Sequence, residues 1–366
     1  MSRSCIVRQK RSVHHPTARH GVCRRELLAA LIAGGLALVA GRFAANRKPK
    51  ASVFLATGQS YDGRLTRTID EALRELGWTP AQFRGKRVLV KPNLVEPSPE
   101  APHITTHPAL VAAAVEYFRA AGASVLIGEA PGHVRDTEMA LEISGIGDVV
   151  RQERVPFADL NYAATVWLKN RTRASRLAGF YVPEEVAGAD VVVSMPKLKT
   201  HHWVGMTASM KNFYGILPGI RYGWPKNVLH YAGIPQTVFD IASAVPAKLA
   251  IVDAIQCMEG DGPIMGTAKP LGAVLVGWEL AAVDATAARL MGLRAERIPY
   301  LTIARRYGHP VDDRHISQRG ARWQEIASRF ELPDYPHLRH LRPEPPQDDS
   351  RKQRSFARSR CDGRQL

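Results

Sequence analysis

The sequence predicts an α/β domain with a mainly parallel sheet, helices on both faces and long irregular loop insertions. Short β-branched runs alternate with segments of helical period, the pattern of a parallel sheet covered on both sides. Helix boundaries carry their usual signals: Pro108 at a first helical turn, and Gly77, Gly122 and Gly292 as stops. A hydrophobic content of 45% over 366 residues is enough for a sizeable core and excludes wholesale disorder.

In chain order, residues 52–56 read as a strand and 66–76 as an amphipathic helix, with Ile69, Leu73 and Leu76 at helical spacing. Residues 87–90 form a short buried strand running into Lys91-Pro92-Asn93, and a helix follows over 109–121. The next strand is 124–128, with Glu129 at its tip, and Asp136 or Thr137 caps a short helix ending at Ser144-Gly145. Residues 155–161 read as a strand, 166–181 as an excursion without clear form, 183–187 as a helical turn and 190–194 as a β-branched strand. The stretch 195–234, crowded with Gly, Pro and aromatics, reads as irregular. Then come a helix at 236–244, a strand at 249–252 ending in Asp253, a strand at 272–276 and a helix at 280–291. Segments 302–306 and 322–330 read as helical, and 333–366, rich in proline and charge, as a disordered basic tail. The domain is thus expected over 51–332.

The net charge of +16 resembles a nucleic-acid footprint until it is divided along the chain. Residues 1–50 carry +10, residues 333–366 carry +3, and the whole middle of the chain carries only +3. The basicity belongs to the leader, and no nucleic-acid partner is expected. Arg24-Arg25 directly precede an apolar, Ala- and Gly-rich run over 27–41, the pattern of a twin-arginine export signal. That run is shorter than the roughly 20 residues a spanning helix needs. Periplasmic or extracytoplasmic placement through the twin-arginine export machinery follows, with membrane association through the N-terminus if the signal stays uncleaved. Cys5, Cys23, Cys257 and Cys361 are scattered and include no Cys-x-x-Cys pair, so an iron–sulfur cluster is not expected, and Cys257 reads as a small buried residue.

In open α/β sheets ligands bind beyond the carboxyl ends of the strands. Polar residues gather there: Lys91 and Asn93; His103, Thr105, Thr106 and His107; Glu129 and His133; Lys197, Lys199, Thr200, His201 and His202; Lys211 and Asn212; and Asp253, followed by Glu259 and Asp261. Several lysines beside helix N-termini would attract a carboxylate or phosphate. A desolvated lysine would serve as base or nucleophile. Asp253 with His201 or His202 would ligate a divalent metal or relay a proton. If 201–202 is extended, only one of the two histidines can face a site. Asp284, inside an apolar helix, reads as a buried partner for a Lys or Arg, and Asp261-Gly262-Pro263 as a turn. Nucleophile-elbow, phosphate-loop and dinucleotide-binding fingerprints are missing from the sequence.

The segments VLVKPNLV (88–95), TTHP (105–108), MPKLKTH (195–201), MKNFYG (210–215) and IVDAIQCMEGDG (251–262) resemble, in order, the family called domain of unknown function 362. The resemblance runs from about Val88 to Gly292. It implies that Lys91, Asn93, His107, Lys197, Lys199, His201, Lys211, Asn212 and Asp253 belong to a family signature, without assigning roles. The cysteine-rich ferredoxin-like segment of some relatives is missing here. The layout is also loosely similar to the lactate racemase family, whose site uses a lysine and histidines around a nickel-containing cofactor.

The expected function is binding of an anionic small molecule or cofactor at this Lys/His/Asp site, with or without catalysis. Lys91, Lys199, His201 and Asp253 are the catalytic candidates. Asn93, His107, Lys197, Lys211 and Asn212 are the binding candidates, and the metal is left unidentified. The alternatives are a non-catalytic solute- or metal-binding module at the membrane surface and a racemase- or isomerase-like metal-cofactor enzyme. Replacing Lys91 or Lys199 with alanine is expected to weaken anion binding with little loss of stability.

Overall fold

The computed structural model describes residues 51–343; the twin-arginine-like leader and residues 344–366 lie outside the described residues. The described strands and helices follow the alternation read from the sequence. They are β1 (Ala51–Ala56), α1 (Leu65–Glu75), β2 (Arg87–Lys91), α2 (Pro108–Ala120), β3 (Ser124–Glu129), α3 (Thr137–Ser144), α4 (Ile146–Gln152), β4 (Phe157–Asp159), β5 (Thr165–Lys169) and β6 (Gly179–Pro183). The chain continues through α5 (Glu184–Ala187), β7 (Val191–Ser194), β8 (Lys197–His201), β9 (Gly205–Thr207), α6 (Ser209–Asn212), α7 (Gly219–Tyr222), α8 (Asn227–Tyr231) and α9 (Ile234–Ala244). Last come β10 (Lys248–Glu259), β11 (Thr267–Gly277), α10 (Leu280–Leu290), α11 (Pro299–Arg306), β12 (Ile316–Gly320) and α12 (Trp323–Ile326).

Among the described residues the main sheet has ten strands in the order β12-β1-β11-β10-β7-β2-β3-β4, with β8 on β10 and β9 on β8. Pairing is parallel from β10 through β7, β2 and β3 to β4, and between β1 and β12, whereas β11 runs antiparallel to both neighbours. Strand side chains alternate between two cores. Val53, Leu55, Leu89, Val192, Ala250 and Val252 face one core, with the apolar sides of α9, α10 and α11. Phe54, Val88, Val90, Val191, Val193, Leu249 and Ile251 face the other, with Leu65, Ile69 and Leu73 of α1 and Leu110, Val111 and Phe118 of α2. Two-sided burial explains why these strands read as continuous apolar runs.

Local reasons set the ends. His107 caps α2, its Nδ1 accepting from the Ala109 N–H at 3.2 Å, and Pro108 takes the first helical position, where no N–H is needed. Asp136 caps α3 by accepting from Met139 N at 2.9 Å.

The structure departs from the sequence reading in several places. Residues 195–234 are not irregular but hold β8, β9 and three short helices. Residues 166–181 belong to the antiparallel β5–β6 hairpin, which forms a separate two-stranded sheet. The strand expected to stop at Val252 continues to Glu259 past a bulge between Ala254 and Gln256. Only Trp323–Ile326 of the segment 322–330 is helical, and none of those four residues is buried. Residues 333–343 are part of the fold rather than of a disordered tail: Pro336–Leu341 forms 3-10 turns that bury Leu338 and Leu341. Cys257 is buried and free, as read.

A second polar feature escaped the sequence reading. Asp240, buried on α9, accepts from Asn170 Nδ2 (2.7 Å), Thr172 Oγ1 (2.5 Å), Ala174 N (3.0 Å), and Ser175 N and Oγ (2.7 and 2.6 Å). It pins the loop between β5 and β6, satisfying donors that would otherwise be buried unpaired.

Candidate functional site

Loops from β2, β3, β8, α6 and α8 converge on a cleft of about 290 Å³, close to the lower end of small-molecule sites. Asn93, Glu129, His133, His201, His202, Lys211, Asn212, Lys226 and His230 supply its polar lining. Leu94, Val95, Trp203, Tyr214, Pro225 and Pro263 supply the apolar part.

Lys91 is not one of the lining residues. Its side chain is fully buried behind Glu129, pairing with Oε2 at 2.5 Å and donating to Pro92 O (2.8 Å) and Asn212 Oδ1 (3.1 Å). Burial pulls the lysine's pKa down and the carboxyl's up, each opposed by the other's charge. Gly215 lets this pair approach the backbone, because a Cβ there would overlap Glu129 Oε1 and crowd Lys91 Nζ. Asn212 completes the arrangement by donating to Lys91 O and Ser194 Oγ. Lys91, a catalytic candidate from the sequence, thus sits behind the cleft as the internal counter-ion of Glu129.

Asp253 and Lys197 form a second buried pair at 2.6 Å. Tyr61 donates to Asp253 Oδ1 (2.9 Å), Lys197 donates to the Tyr61 hydroxyl (2.8 Å), and the His107 backbone N–H donates to Asp253 Oδ2 (3.0 Å). The His107 ring stacks on Tyr61, centroids 3.6 Å apart. None of these four residues lines the cleft, so Asp253 does not meet His201 or His202 there as a metal ligand or proton relay. Among the described residues no three His, Cys, Asp or Glu side chains converge in a metal-binding arrangement. Lys199 is also fully buried, donating to Ile104 O at 2.7 Å. Burial first, then Lys211 and Lys197, hold it well below its ordinary value. It too is an internal residue rather than a cation open to solute.

The two adjacent histidines both reach the cleft. His201 is the last residue of β8, and the alternation of an extended chain ends there. The chain turns through His202 and Trp203 to Gly205, whose φ of +83° begins β9, and the two imidazoles stack with centroids 4.9 Å apart. His201 Nδ1 accepts from Trp203 N at 3.1 Å. Burial, followed by Lys211 and the other cations, holds His201 well below the usual range and His230 at about 4. His133 is lowered as well, chiefly by burial and against the pull of Glu96. All three are therefore neutral near pH 7, each able to donate from one ring nitrogen and accept at the other.

Lys211 differs from the other lysines. It projects from the short α6, half-buried, and among the described residues its Nζ has no hydrogen-bonding or carboxylate partner, lying 3.9 Å from the Tyr214 ring centroid. Burial, reinforced by Lys91, pushes it down to about 7. α6 is fixed by Asp284, which accepts from Ser209 N (2.8 Å), Ser209 Oγ and Met210 N (3.1 Å). Asp284 thus partners a helix N-terminus, not the Lys or Arg expected from the sequence. Its carboxyl is raised to about 6 by burial, against those donors.

Lys226, His230, Tyr61 and Trp203 were not candidates, and no motif marks them. Lys226 takes a left-handed backbone (φ +64°) in the irregular-looking stretch and donates to Ala130 O (2.8 Å), Tyr214 O (3.0 Å) and Leu217 O (2.5 Å). It joins three loops of the cleft wall. Asn93, by contrast, lines the cleft and leaves its Oδ1 buried with no partner among the described residues.

Comparison with known proteins fits this arrangement into a family. The family model described as domain of unknown function (DUF362) matches residues 88–289, and the chain belongs to that family. It is similar to the thylakoid-associated protein sll1697 of Synechocystis sp., 28% identical over 267 residues, covering 70% of this chain and 79% of the relative. Among solved structures it is similar to the lactate racemase apoprotein of Thermoanaerobacterium thermosaccharolyticum, with a TM-score of 0.41 and 15% identity. That match covers 65% of this chain and only 57% of the other, a likeness too distant to carry chemistry.

Proposed function

We propose that the protein binds a small carboxylate- or phosphate-bearing molecule in the cleft, with Lys211 as its anchor. The supporting observation is the charge arrangement around the cleft. Lys91 and Glu129 neutralise each other, Lys226 is occupied by carbonyls, and of these cleft lysines only Lys211 presents an amine with no acceptor among the described residues. Asn93 and the neutral histidines line the cleft with it, and the histidines are able to donate directional hydrogen bonds. With a pKa near 7, Lys211 is suited to proton transfer to or from the bound molecule.

Calorimetric titration of the full-length protein with acetate and with inorganic phosphate tests this reading at about pH 6, where Lys211 is protonated. One site is expected, and Lys211→Met should weaken binding by about thirtyfold, the worth of a charge-assisted hydrogen bond of about 2 kcal/mol. Retained affinity in that variant, with an unchanged melting temperature, would remove Lys211 from the site.

The same reading places the protein outside the cytoplasm at a membrane surface. The Arg24-Arg25 leader and the thylakoid-associated relative support this. No helix among the described residues is long and apolar enough to cross a membrane; residues 1–50 and the protein surface are the two proposed routes of membrane association. Fractionation with and without residues 1–50 decides between them.

A further inference from the structure

We infer that the ligand is an amphiphilic acid, a carboxylate or phosphate carried on a small aryl or short acyl body. This deepens the proposed function and rests on it. The cleft wall is mixed: the charge of Lys211 acts on His133, His201 and His230, and Leu94, Val95, Trp203, Pro225 and Pro263 add apolar surface to the same lining. At about 290 Å³ it has room for about ten water-sized groups, more than acetate or phosphate alone would fill.

Apolar side chains also stand exposed at, or within two residues of, lining positions on three separate segments. Trp203 is 55% exposed and itself lines the cleft; Tyr231, 88% exposed, follows His230; Met265, 77% exposed, lies two residues beyond Pro263. A fold gains nothing from leaving three such side chains in water, and apolar surface beside a concave polar site is what an apolar ligand body would cover.

Trp203 is also held in place. Its backbone N–H donates to His201, and its ring neighbours those of His202 (centroids 5.5 Å) and His337 (6.5 Å, interplanar angle 27°). The His337 ring nitrogen in turn contacts His202 O at 2.8 Å. The indole is therefore a preorganised flat wall, so little ordering cost opposes an aryl or acyl group laid against it.

The test compares two carboxylates of equal charge, acetate and 3-phenylpropionate, by calorimetry on the full-length protein at about pH 6. The aryl acid is expected to bind at least about tenfold more tightly, the effect of covering roughly 60 Å² of apolar surface. Trp203→Ala should erase the aryl advantage, bringing the ratio of the two affinities close to one. Trp167→Ala, exposed on the β5–β6 hairpin and not lining the cleft, should alter neither. Equal affinities in the wild type, or an aryl advantage that survives Trp203→Ala, would overturn the inference and leave anion binding standing. If neither acid binds, the inference fails, and if inorganic phosphate does not bind either, the proposed function fails with it. Sedimentation with phosphatidylglycerol vesicles, without binding of the soluble aryl acid, would assign the apolar rim to a membrane and also overturn the inference.

Discussion

Lys91→Ala is expected to destabilise the protein by about 3–5 kcal/mol, because it leaves Glu129 charged and unpaired in the interior. The pair is buried, with side-chain exposures of 0% and 2%, so little solvent screens the carboxylate once the ammonium is lost. Asn212 and Pro92 also lose a donor, and Asn212 is one of the cleft residues. The stability measurement is urea unfolding followed by far-ultraviolet dichroism. The double variant Lys91→Met/Glu129→Leu distinguishes a counter-ion from a binding residue. Replacing both ions by apolar groups is often neutral or stabilising, so most of the loss should be recovered. A single variant as stable as the wild type would mean that Lys91 and Glu129 are not a buried pair.

Anion affinity is expected to fall by up to tenfold per pH unit above about pH 7, as Lys211 loses its proton. The groups facing it are Lys91 with Glu129, Lys199, Lys226, and the histidines 133, 201, 202 and 230. His133, His201 and His230 are lowered and stay neutral through this window. Lys226 is pushed to about 7 by burial and titrates alongside Lys211, so the slope must be compared with that of Lys211→Met. Stability of the unliganded protein should move the other way. A lysine whose folded pKa lies below its unfolded value binds fewer protons when folded, so stability rises as pH increases from about 7 toward 10.5. Dissociation constants and melting temperatures measured across that range check both signs.

The sequence made most strands legible because they are buried on both faces and therefore read as apolar runs. It concealed β8, whose Lys-Leu-Lys-Thr-His pattern looks like a solvated loop although all five residues are buried. Polar alternation signals an exposed face only when water is on that side; here Lys197 and Lys199 point at Asp253 and Ile104 instead. Of the motif residues, Asn93, His201, Lys211 and Asn212 line the cleft. Spacing alone could not separate the lysines neutralised by Glu129 or Asp253 from Lys211, since their partners lie 38 and 56 residues away. Lys226 and His230 carry no pattern at all, and reach the cleft only through the fold of a Gly- and Pro-rich stretch.

The most direct measurement is the number of protons taken up when phosphate binds at about pH 8, obtained by calorimetry in two buffers of different ionisation enthalpy. An anion seated on Lys211 would raise its pKa, so the account predicts uptake approaching one proton per site in the wild type and a clear drop in Lys211→Met. Tight binding with no proton uptake, or with uptake unchanged in that variant, would contradict it.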